Sequence, residues 1–128
     1  MNSGSLSLKD IERQAKSLIP HNVWDFIEGG SQDMITTHRN IEQFNEIKLL
    51  PRPFLQTNER KLSTTILGHS ISMPILLGAA GGHTFVHPNG ELDTAQAAKD
   101  MNTGLALSTS SDYSLQEVAE IGAHPRIF

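Results

Sequence analysis

The second half of this chain alternates short apolar runs with helical stretches, and that alternation restricts the fold more than any other feature. Ile75-Leu76-Leu77 is an unbroken apolar run after Pro74, the pattern of a strand buried on both faces. A glycine-rich loop follows. A helix is then predicted from about Pro88 to Met101, with Leu92, Ala95, Ala98 and Met101 facing inward and Pro88 in its first turn. Leu105-Ala106-Leu107 forms a second apolar run at the distance a βαβ unit requires, about 30 residues after the first. Ser114 and Glu117 stand at capping-box spacing for a helix through Leu115, Val118 and Ile121, which Gly122 ends. Arg126-Ile127-Phe128 begins a third strand. Strand, helix, strand, helix, strand calls for a parallel sheet, either doubly wound or the opening of a (β/α)8 barrel. A closed barrel takes roughly 250 residues, and an apolar strand at a sheet edge is normally covered. The chain is expected to be incomplete, with both architectures open.

Three helices are predicted ahead of this region. Leu8, Ile11, Ala15 and Leu18 recur at helical spacing after Ser7, with Asp10 three residues beyond that cap, and Pro20 closes the stretch. Asn22 and Asp25 repeat the start signal, and Gly29-Gly30 ends the second helix. The third runs from about Asp33 and places Met34, Thr37, Ile41 and Phe44 on one face. Pro51-Arg52-Pro53 enforces an extended course. Ser63 to Leu67, then Gly68-His69, then Ser70 to Ser72 reads as a short hairpin. The chain is therefore expected to hold helices over residues 1–47, an extended and hairpin connection over 48–73, and βαβαβ units over 74–128.

Composition excludes several classes of function. The 128 residues suffice for one domain, and a hydrophobic content of 38% is lean enough that part of the core is expected from elsewhere. The net charge is -4 and the ten lysines and arginines are scattered singly, so nucleic acid is not an expected partner. The absence of cysteine removes disulfides, thiolate metal sites and a cysteine nucleophile. The opening residues lack the basic-then-apolar order of a signal peptide, and the run from Ile75 to Ala80 is too short to span a bilayer. A cytoplasmic location is expected.

In either parallel-sheet architecture, ligands bind at the loops that follow the strands. The first such loop is Gly78-Ala79-Ala80-Gly81-Gly82-His83, whose small side chains let a flat or anionic ligand reach backbone N–H groups. It matches no nucleotide fingerprint, and taken alone it reads first as a structural turn. The second loop is Ser108-Thr109-Ser110-Ser111-Asp112, whose hydroxyls suit a ring heteroatom or phosphate, although serine and aspartate also serve ordinary turns. His83 and His87 are four residues apart, yet Pro88 puts the helix start after them and no carboxylate precedes them at ligand spacing. No metal is expected there, and Glu91 reads as a first-turn residue facing the helix dipole. Trp24 and Phe26 read as core anchors.

The run Ile71 to Leu77, the segment His87-Pro88 with Gly90-Glu91, and Leu107-Ser108 through Glu117-Val118-Ala119 resemble one family in order and spacing. So do Gly30 with Asp33, Asn40 with Phe44, Leu50-Pro51-Arg52, and Thr65 with Leu67-Gly68. The family is the FMN-dependent α-hydroxy acid dehydrogenases and oxidases, which includes glycolate oxidase, lactate oxidase and mandelate dehydrogenase. The resemblance implies the N-terminal part of a (β/α)8 TIM barrel with FMN at the C-terminal ends of its strands. It implies that Ala79, Ala80 and Gly81 lie against the flavin ring and that Ser108 contacts it. A family tyrosine that grips the substrate carboxylate falls on Phe26, which has no hydroxyl. The family's catalytic histidine and arginines have no counterpart in these residues. The implied reaction is oxidation of a small 2-hydroxy acid to the keto acid, with this chain expected to be inactive alone. Two alternatives stand beside it: a non-catalytic remnant or a split-barrel partner completed by a second chain or homo-oligomer, and an FMN barrel acting on a larger or peptide substrate.

Overall fold

The computed structural model describes residues 7–54 and 59–128, in two compact units, 1–56 and 57–128. The part of the expected 48–73 connection over residues 55–58, and the opening residues 1–6, lie outside the described residues.

The first unit contains α1 (Leu8–Leu18), α2 (His21–Glu28) and α3 (Ile35–Glu46). Ser7 caps α1 by accepting from the Asp10 N–H, and its hydroxyl donates to the Asp10 carboxylate at 2.9 Å. The start of α2 differs from expectation. The Pro20 carbonyl accepts from Val23 and Trp24 N–H groups at 3.0 and 2.9 Å, so the helix begins at His21 and Asn22 lies within it. α3 likewise starts at Ile35 rather than near Asp33, because Met34 adopts a left-handed backbone (φ 57°) that a helix cannot continue through. Trp24 is 8% exposed and the Lys16 ammonium sits 5.5 Å from its ring centroid, a cation–π arrangement. Phe26 is not the core anchor expected: it is 77% exposed. Two residues of helix turn a side chain about 200° around the axis, so Trp24 and Phe26 cannot share a face.

The second unit opens with an antiparallel hairpin, β1 (Thr64–Ile66) and β2 (His69–Ile71), paired from Thr64 with Ile71 to Ile66 with His69. Its turn is Leu67-Gly68, not Gly68-His69. Both turn residues have positive φ, 49° and 81°, as a two-residue turn matched to strand twist requires.

Three parallel segments follow. Leu77 N–H donates to the Gly104 carbonyl and Ala106 N–H to the Leu77 carbonyl, at 3.0 and 2.9 Å. β3 (Leu105–Ala106) then pairs in parallel with β4 (Arg126–Ile127), placing β3 between its sequence neighbours. A Cβ on Gly104 would lie 2.5 Å from the Pro125 carbonyl oxygen and 2.9 Å from a Leu76 methyl, so only glycine lets the three segments converge there. The first segment is less covered than its apolar run implied, with Ile75 58% exposed. No closed barrel forms among the described residues.

The crossovers are α4 (Gly90–Asp100) and α5 (Leu115–Ile121). α4 starts two residues after Pro88, because a 3-10 turn over His83–Phe85 and the turn at Pro88-Asn89 take up the intervening chain. Ala95 and Ala98 of α4 pack with Leu105, Leu107, Val118 and Ala123 to form the core, and small alanines bring the helix close to the sheet. Met101, expected inward, is 55% exposed beyond the helix end. α5 carries the complete capping box between Ser114 and Glu117 and ends on left-handed Gly122 (φ 89°). Among the described residues, no helix is long and apolar enough to cross a membrane.

Candidate functional site

The parallel pairing of Leu77 with Leu105 puts the two glycine- and serine-rich loops side by side. Gly82 N–H donates to the Ser110 carbonyl at 3.3 Å. A Cβ on Gly81 would lie 2.6 Å from the Ser110 oxygen and 2.7 Å from the Ser110 Cβ, so the loops touch at a position where only glycine fits. Further along, Thr84 donates both its N–H and its hydroxyl to Asp112 Oδ2, at 3.0 and 2.8 Å. Tyr113 completes the series, its phenol donating to the Pro88 carbonyl at 3.1 Å.

Asp112 is held in place from two sides. The Thr84 N–H, then the Thr84 hydroxyl, keep its carboxyl below the ordinary aspartate value, with a smaller pull from His83 and an opposing push from desolvation. Its own N–H donates to Glu91 Oε1 at 3.3 Å. Glu91 is 1% exposed, and among the described residues its second oxygen, Oε2, has no hydrogen-bond partner. A first-turn position on α4 agrees with the sequence reading, but the side chain runs into the interior to meet the second loop.

The residues singled out in the sequence are placed as follows. Ala79, Ala80 and Gly81 are exposed on the first loop, and among the described residues their N–H groups donate no hydrogen bond. Ser108 is half-buried at the start of the second loop, its Oγ accepting from Ser110 N–H at 3.0 Å, and among the described residues its own proton has no acceptor. These four residues lie on the two tied loops. Phe26 belongs to the first unit. His83 and His87 have separate partners: Nδ1 of His83 is 3.2 Å from the Thr94 hydroxyl, and Nδ1 of His87 is 3.1 Å from Asp93. Among the described residues, no group of three or more histidines, cysteines or carboxylates could hold a metal.

Sequence reasoning missed Thr84 and the reach of Glu91 and Asp112. Their pairing spans 28 residues for Thr84 and 21 for Glu91, and no local pattern reports a contact over that distance. Asp112 alone carried a signal, as the one charge in a loop otherwise built of hydroxyls.

A parallel βαβαβ framework whose first two strand-end loops meet is shared by doubly wound sheets and by the opening of a (β/α)8 barrel. The chain belongs to the FMN-dependent dehydrogenase family, whose model matches residues 15–128. FMN is the cofactor that this membership indicates. The chain is similar to human 2-hydroxyacid oxidase 1, at 38% identity over 91% of this chain and 32% of that protein. L-lactate oxidase from a Nostoc species is 36% identical over 94% of this chain and 33% of its own length. Among solved structures, a mandelate oxidase variant with a C4a-OH-FMN adduct matches with a TM-score of 0.87 and 28% identity, covering 91% of this chain and 35% of that one. The chain thus spans about a third of the length of the relatives it matches.

Proposed function

We propose that this chain supplies the flavin-ring cradle of an FMN-dependent oxidoreductase that converts a small 2-hydroxy acid to its keto acid. The observation that carries this reading is the contact between the two strand-end loops, Gly81 against Ser110, in a chain of an FMN-dependent family. The residues present fit the cofactor. Ala79, Ala80 and Gly81 offer small side chains and unengaged N–H donors, and Ser108 offers a hydroxyl proton. In this proposal the Ala79–Gly81 backbone and Ser108 donate to heteroatoms of the ring and fix its plane. When bound, FMN supplies the two-electron acceptor for oxidation of the hydroxy acid.

The proposal includes that these 128 residues turn over no hydroxy acid by themselves, since the chain spans 32% of its human relative. A cytoplasmic location belongs to the same proposal, and cell fractionation tests it. Titration of the chain with FMN, followed by quenching of flavin fluorescence, tests the cradle. Saturable quenching that Gly81→Val removes, with circular dichroism unchanged, is the expected result. A folded chain that leaves flavin fluorescence untouched counts against it.

A second reading, that another polypeptide or a second copy completes the barrel, is favoured by uncovered apolar side chains. Ile75, Phe85 and Phe128 are exposed in one unit, and Leu49, Leu50 and Phe54 in the other. Co-expression with the later barrel strands of a similar oxidase tests it, with regained hydroxy acid oxidation expected. A third reading, a larger or peptide substrate, rests on Phe26, whose exposed ring offers no hydroxyl to a substrate carboxylate. Comparing small and bulky hydroxy acids in that reconstituted enzyme, with and without Phe26→Tyr, separates it from the first.

A further inference from the structure

Thr84, Glu91 and Asp112 lie outside the segments expected to touch the flavin ring, yet they converge on the geometry between those segments. The first loop reaches Thr84 five residues after Ala79, and the second reaches Asp112 four residues after Ser108. Asp112 is the point where three elements meet. Its carboxylate takes two hydrogen bonds from Thr84 on the 3-10 turn, and its N–H is held by Glu91 from α4. Glu91 is buried, so it is an anchor that solvent cannot readily displace. The Gly82–Ser110 and Pro88–Tyr113 hydrogen bonds flank this junction on either side. The loops after the first strand and β3 are thereby joined along their length.

A flat ligand that must contact two loops loses affinity whenever the loops vary in separation, because binding then has to order them. We propose that Thr84, Glu91 and Asp112 are positioning residues that latch the Ser108 loop to the Ala79–Gly81 loop, setting their separation before FMN arrives. This rests on the cofactor reading above and adds to it a role for three residues that do not touch the cofactor. Asp112 is the centre of the latch, since its loss removes both Thr84 bonds. Glu91 holds the backbone so that the carboxylate points at Thr84. The hydroxyl of Thr84 supplies the shorter of the two bonds, and serine retains it.

Three forms of the chain test the latch: Asp112→Ala, Thr84→Val and Thr84→Ser. Amide hydrogen exchange without FMN, FMN affinity by fluorescence quenching, and the thermal midpoint are measured on each. Asp112→Ala is expected to speed exchange at the Thr84 and Gly82 amides and to weaken FMN binding about tenfold with little change in midpoint. Thr84→Val is expected to weaken FMN less, and Thr84→Ser to restore parental affinity, a rescue that a merely structural role would not produce. Asp112→Ala binding FMN as tightly as the parent overturns the latch. So does unchanged exchange at both amides. A parent chain that fails to quench FMN overturns the cofactor reading instead, and amide protection lost in Asp112→Ala then still upholds the tie between the loops.

Discussion

Thr84 gives both of its donors to a single oxygen of Asp112, the N–H at 3.0 Å and the hydroxyl at 2.8 Å, across 28 residues of sequence. Two donors on one carboxylate stabilise its charged form, so the Asp112 carboxyl titrates below the ordinary aspartate value. A group with a lowered folded pKa contributes stability that is fully present above its unfolded pKa and disappears as pH falls through the folded one. The loop tie is therefore complete at neutral pH and is lost on strong acidification, below the usual carboxylate range. A carboxyl-detected NMR titration checks this: Asp112 should titrate below the ordinary aspartate value, and Thr84→Val should raise it. An Asp112 that titrates at the ordinary value contradicts the prediction.

The same sign holds for Glu117, whose carboxyl is lowered first by the Ser114 hydroxyl and then by the Ser114 N–H. Removing the cap with Ser114→Ala is expected to cost about 1 kcal/mol, the usual effect of losing a serine N-cap. Urea unfolding at neutral pH measures the loss. The same substitution should raise the Glu117 pKa toward its ordinary value, and an unmoved titration would contradict the cap as its cause.

Gly104 and Gly122 are both glycines at element ends, but substitution should act differently at each. Alanine at Gly104 drives a Cβ to 2.5 Å from the Pro125 backbone carbonyl, one residue ahead of β4, so β3 and β4 must separate. Alanine at Gly122 meets only the end of the Lys99 side chain at 3.9 Å, and its cost is the left-handed backbone alone, about 1 kcal/mol. Chemical denaturation of the two variants should show the first as the clearly larger loss. Equal losses would mean that the strands do not converge at Gly104.

Leu105 is buried in the central strand against Ala95, Ala98 and Val118. Leu105→Ala should lower stability by about 2–5 kcal/mol through lost burial and the cavity left behind. In so small a core that is enough to unfold the second unit. The loss of near-ultraviolet and far-ultraviolet circular dichroism together is the expected readout.

Short-range features were legible in the residues themselves. The Ser7 and Ser114 caps, the Gly122 stop and the βαβαβ order each follow from contacts a few residues long or from a repeating apolar period. Backbone conformation shifted several boundaries. Left-handed Met34 delayed α3, and the Pro20 carbonyl started α2 ahead of Asn22. Leu67 joined Gly68 in the hairpin turn, and a 3-10 turn pushed the start of α4 past Pro88. Each depends on a dihedral angle that residue type biases without dictating.

The chain's own sequence determined the order of its elements, its caps and the family to which it belongs, because these reside in local hydrogen bonds and in motif spacing. Only the tertiary structure decided that Gly81 rests on Ser110, that Thr84 reaches Asp112 and that Glu91 turns inward while Phe26 turns out. Those contacts exist because parallel pairing at Leu77 and Leu105 brings together two loops far apart along the chain. Apolar residues alone do not say which helix face is covered: Trp24 and Phe26, two residues apart on α2, point to opposite faces, and only that of Trp24 is buried.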